Sequence, residues 1–70
     1  MNMNKAVMKE YETKTFKEVA KAPVHALQGV SEGDAKHLKE AFGVDTVEEL
    51  ANLKYVKTAQ AIVALAATEE

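Results

Sequence analysis

The sequence predicts an all-α fold, a compact bundle of four or five helices in one small domain. Three observations point there. Apolar residues recur at spacings of three and four, and Val, Ile and the aromatic residues never alternate with polar ones over the length of a strand. A hydroxyl residue stands three positions before an acid at Thr15 and Glu18, at Ser31 and Asp34, and at Thr46 and Glu49, the pattern by which a helix satisfies its own first-turn amides. Pro23, Gly29 and Gly43 fall between these segments, where a chain bends or a helix stops.

Taken in order, residues 1–12 place Val7, Met8 and Tyr11 at helical spacing but offer little else, and are expected to form a partly ordered lead-in to a domain spanning residues 13–70. Thr15 opens a short helix with Phe16, Val19 and Ala20 on one face. Pro23 bends the chain at Ala22 and starts a short helical segment, Val24 to Gln28, that ends at Gly29. Ser31 caps a longer helix with Ala35, Leu38, Ala41 and Phe42 on its buried face and Gly43 as a left-handed terminator; Leu38 and Phe42 are expected in the core. Thr46 opens another helix, buried through Val47, Leu50 and Ala51, that ends near Leu53. The last helix runs from about Tyr55 to Ala67, and its apolar residues go most of the way round.

Composition narrows the chemistry. Of 70 residues, 33 are apolar and 12 of those are Ala, so 21 larger side chains must build a core that in a chain this short nets roughly 3–5 kcal/mol. The absence of Cys removes disulfides and thiolate zinc sites, and fits a reducing compartment. Lys5, Lys9 and Glu10 interrupt the first ten residues, unlike a secretory leader, and the longest uncharged run, Thr58 to Thr68, is 11 residues against the roughly 20 a membrane span needs; the expected location is cytoplasmic, with no membrane partner. Net charge is −2, but residues 1–27 carry +2 and residues 28–49 carry −4, and the chain has no Arg.

The segment Leu27-Gln28-Gly29-Val30-Ser31, with Ala35, Leu38 and Gly43 and then Thr46-Val47-Glu48-Glu49-Leu50-Ala51, resembles a helix-hairpin-helix unit over residues 27–53. From Thr13 onward the chain is similar, more loosely, to the small helical domains at recombinase amino termini and to sterile-alpha-motif-like folds. In the family the hairpin captures a DNA phosphate with backbone N–H groups that open a helix. The resemblance therefore makes Gly29, Val30, Ser31 and Gly33 candidate phosphate contacts, with Lys36 and Lys39 as the cations able to help. This sequence departs from the family pattern where Ser31 replaces the second glycine and where Gly33 stands at a position that is often Lys, flanked by Glu32 and Asp34. Acids on a helix's first turn occupy the dipole that a phosphate would use, and a hairpin region at −4 gains little from counterion release. Weak, sequence-independent nucleic-acid binding is thus the alternative, and packing or protein contact the main reading.

Other chemistry is sparse. His25 and His37 lie twelve residues apart, and His37 with Asp34 makes only two ligands, too few for zinc. Ser31, Asp34 and His37 read as a capped helix start rather than a nucleophile set, and Glu48 and Glu49 as dipole partners of a helix's first turn. No glycine-rich nucleotide loop occurs, so neither an enzyme nor a cofactor is expected. The uncharged run Thr58–Thr68 reads first as the central helix of the bundle; a sharper reading leaves one side, around Ala61 and Leu65, exposed to bind an unknown protein partner or a second copy.

Overall fold

A computed structural model describes residues 2–69, and among these the chain is all-α, with no strand. Five α-helices, α1 (Met3–Ala6), α2 (Phe16–Ala20), α3 (Glu32–Phe42), α4 (Val47–Asn52) and α5 (Lys54–Ala66), are joined by irregular segments that include two 3₁₀ turns, Lys9–Tyr11 and Val24–Ala26.

The three capping patterns all close. The Glu18 amide donates to Thr15 Oγ1 at 3.1 Å while the Thr15 amide donates to Glu18 Oε1 at 2.9 Å. Ser31 and Asp34 exchange the same pair of bonds at 3.0 and 3.2 Å, and Thr46 and Glu49 both at 3.1 Å, with Glu49 Oε1 also accepting from the Asp45 amide at 2.8 Å. Each box satisfies two amides that a helix start leaves orphaned. At the far end of α3, Gly43 takes φ +69°, the left-handed conformation that costs an L side chain energy, and its amide returns to the Lys39 carbonyl.

The amide of Thr15 holds the Glu18 carboxyl below the usual carboxylate range. A group whose folded pKa is depressed adds stability at neutral pH that is lost as pH falls through that lowered value. Acidification is therefore expected to lower the melting temperature of the wild-type chain more than that of Glu18→Gln, and parallel curves would remove Glu18 from the acid response.

The core is not where helical spacing places it. Its buried side chains are Val7, Val19, Ala22, Val24, Ala26 and Val44, and all but Val19 belong to the irregular segments and the second 3₁₀ turn. These segments are tied by backbone hydrogen bonds. The Val24 amide donates to the Asp45 carbonyl at 2.9 Å and the Val47 amide to the Ala22 carbonyl at 3.0 Å, flanking an antiparallel bridge between Pro23 and Thr46. At the other end, the Met8 amide donates to the Ala26 carbonyl at 2.7 Å and the Gln28 amide to the Ala6 carbonyl at 2.9 Å, around a bridge between Val7 and Leu27. Residues 22–28 thus form a spine gripped at one end by residues 45–47 and at the other by residues 6–8, with the helices outside.

This arrangement corrects several expectations. The segment expected to be a loose lead-in supplies Val7, 2% exposed and bonded on both sides. Val24 to Gln28 makes one 3₁₀ turn rather than a longer helical segment, because its backbone groups bond outward to neighbouring segments. Leu38 is only half-buried and Phe42 is 51% exposed, since α3 packs chiefly on the Val24–Ala26 turn and the end of its apolar face overhangs that narrow support. Phe42 instead leans toward Tyr55, ring centroids 6.1 Å apart. Nor is α5 the central helix: its half-buried residue is Val56, near the start, and every residue from Lys57 to Ala66 is exposed. One residue, Leu53, is both the end of α4 and the N-cap of α5, so the last helix leaves the body without a loop.

Candidate functional site

Two surfaces hold the residues singled out by the sequence. The first is the turn that leads into α3. Leu27 to Val30 close a four-residue turn through the Val30 amide and the Leu27 carbonyl at 3.1 Å, with Gly29 third at φ +94°, the position at which a type II turn needs glycine. A Cβ on Gly29 would meet nothing within 4 Å, so the requirement is conformational and not steric. Gly33 lies in the first turn of α3 with a φ that any residue adopts, and a Cβ there would touch only Ser31 Oγ at an ordinary 3.7 Å.

The electrostatics of this surface are mostly self-satisfied. The Ser31 and Asp34 amides are taken by each other's side chains and the Val30 amide by the turn, which leaves the amides of Glu32 and Gly33 as the unspent donors of the α3 start. Of the two lysines, Lys39 is bound: its Nζ lies 2.6 Å from Asp45 Oδ2. That hydrogen bond, and the charge of Asp45 behind it, hold the Lys39 ammonium above its ordinary value. The pair is half in solvent and contributes little to stability, but it neutralises one of two cations a phosphate would meet. Lys36 and Lys39 line a depression of about 390 Å³ with Pro23, His25, Glu32 and Asp45, so the local lining is mixed in sign. Gly29, Val30 and Ser31 face a different hollow, next to Met8 and Gln28. Lys36 and Lys39 thus line one hollow and Gly29, Val30 and Ser31 another.

The histidines are also separated. His25 lies at the edge of the Lys36 depression, whereas His37 and Asp34 line another hollow with Val30, Leu38 and Phe42. Among the described residues no three His, Cys, Asp or Glu side chains gather in metal-binding geometry.

The second surface is α5. Ala61 and Leu65 are exposed, and so are Tyr55 at 59%, Ile62 at 62% and Val63 at 69%, beside Leu65 at 67%. At 100° per residue, Tyr55, Ala59, Ile62 and Ala66 form one line along the helix, with Leu65 and Val63 on either flank, while Ala61 lies toward the opposite side with Lys57. Lys54 Nζ sits 5.2 Å from the centre of the Tyr55 ring, at the base of this face. Phe42 extends the apolar area from α3, through its approach to Tyr55. The uncharged run Thr58–Thr68 marks Ile62, Val63 and Leu65, whereas Tyr55 lies before it, between Lys54 and Lys57.

No helix among the described residues is long and apolar enough to cross a membrane. No family model matches the chain, and no curated protein or solved structure matches it.

Proposed function

We propose that this chain is a non-catalytic protein-interaction module of the helix-hairpin-helix type, in which residues 27–53 serve packing and the apolar face of α5 makes the contact. The observation that carries this reading is α5 itself, a 13-residue helix whose Tyr55, Ile62, Val63 and Leu65 all stand in solvent. Large contiguous apolar areas on small domains mark contact surfaces, and scattered single residues do not. A hairpin that presents phosphate to few amides and pairs Lys39 with Asp45 supports packing over nucleic-acid binding.

The test has two arms. Immobilised wild-type chain is expected to retain a protein, another molecule of the chain included, that the double variant Ile62→Lys, Leu65→Lys releases. In the second arm, a short DNA duplex added at low salt to isotope-labelled protein is expected to leave the amides of residues 29–37 in place. Equal retention by both chains, together with salt-sensitive shifts at residues 29–37 that Lys36→Glu abolishes, would overturn the proposal in favour of phosphate binding.

A further inference from the structure

The size of the exposed surface limits what can cover α5. A compact monomer of 7.6 kDa exposes about 4,300 Å² by the general scaling of area with mass. This chain exposes 5514 Å². Its radius of gyration is 13.7 Å, where about 11 Å is usual for a domain of this length, and its long dimension is 43 Å. The excess, on the order of 1,200 Å², is more than the roughly 800 Å² that each partner of an ordinary stable interface gives up. Among the described residues, four of the six large apolar side chains that stand exposed, Tyr55, Ile62, Val63 and Leu65, are on α5, and Phe42 adjoins them.

Charge then selects the occupant. Between Thr58 and Thr68 the chain carries none, so two such helices meet without repulsion along their length. The charges lie at the two ends and are of opposite sign: Lys54 and Lys57 in the first turn, Glu69 just past the last. Lys57 points away from the apolar line, so the end charges of this face are Lys54 and Glu69; parallel pairing would set Lys54 against Lys54, whereas antiparallel pairing sets Lys54 of each copy against Glu69 of the other, and opposes the two helix dipoles. Ala59 and Ala66 flank Ile62 on the same line, and side chains this small let helix axes approach to the near end of the usual 8–10 Å range.

Resting on the interaction reading above, we infer that the face of α5 is covered by a second copy of this chain, the two helices packing antiparallel across a twofold axis close to Ile62. Such an interface is isologous: the patch that binds is the patch that is bound. It needs no partner surface that the chain does not already carry.

The experiment is sedimentation equilibrium from micromolar to millimolar concentration, coupled to site-directed cross-linking, which is clean because the native chain has no Cys. The wild-type mass is expected to rise from one chain to two across this range. Ile62→Lys is expected to stay monomeric with an unchanged circular dichroism spectrum, since Ile62 is 62% exposed. Under oxidation, Ile62→Cys is expected to form a covalent dimer, and Ala59→Cys to cross-link with Ala66→Cys in a mixture but not with itself. Self-cross-linking of Ala59→Cys as fast as in the mixture would overturn the antiparallel arrangement. A chain that stays monomeric at millimolar concentration but retains another protein through Ile62 would overturn self-pairing while keeping the interaction reading. A monomer that retains nothing would overturn both.

Discussion

Val24→Asp is expected to leave no cooperative unfolding transition and a circular dichroism spectrum with little helix at 25 °C. Val24 is 1% exposed and sits in the middle of the spine, between the Pro23–Thr46 bridge and the core alanine, Ala26. The substitution removes the burial of a Val side chain, about 1.5–3 kcal/mol. It also puts a carboxyl where no buried polar side chain is present to receive it. A core of this size has roughly 3–5 kcal/mol in hand, so the two effects together exceed the whole. Val24→Ala, which keeps the site apolar, should instead shift the melting temperature downward and preserve the transition. A Val24→Asp chain that melts near the wild-type temperature would show that the spine is not the centre of the fold.

Removal of residues 1–8 is the second large effect, and it is expected to lower the melting temperature by more than 10 °C, on the general relation of about 4–8 °C per kcal/mol for a domain this small. The truncation takes away Val7, 2% exposed, together with the Met8 amide that meets Ala26 and the Ala6 carbonyl that meets Gln28. Burial of Val7 contributes about 1.5–3 kcal/mol, and each backbone bond about 0.5–1.5 kcal/mol net. Differential scanning calorimetry of the two chains decides the matter: a truncated chain melting within a few degrees of the intact one would return residues 1–8 to the role of a loose extension.

What was legible in the sequence was local. Thr15 with Glu18, Ser31 with Asp34 and Thr46 with Glu49 lie three residues apart, so each box is specified by its own segment and each formed as expected. Gly29 and Gly43 were legible for the same reason, their positive φ being a demand of one turn and one helix end. The core was not, because it is assembled by backbone pairing between segments without periodicity. Val7 and Val44 carry no pattern that distinguishes them from Phe42, whose place on an apolar stripe pointed inward although its helix packs chiefly on one short turn. For α5, apolarity most of the way round was the right observation, but it fits a central helix and an exposed contact helix equally well. Only the position of Leu53, which turns the helix away from the body, separates the two.

The spine also sets the kinetics. Its two clasps join Met8 to Ala26 and Ala6 to Gln28 on one side, Val24 to Asp45 and Ala22 to Val47 on the other, partners 18 to 25 positions apart. Each clasp closes a loop whose entropy is lost before any side chain in the core is covered, and the two loops share the stretch between them. The capped helices are local to their own segments, and the step expected to limit the rate is the meeting of three stretches distant in sequence, residues 6–8, 22–28 and 45–47. This all-α protein is therefore expected to fold more slowly than a helical bundle of the same length.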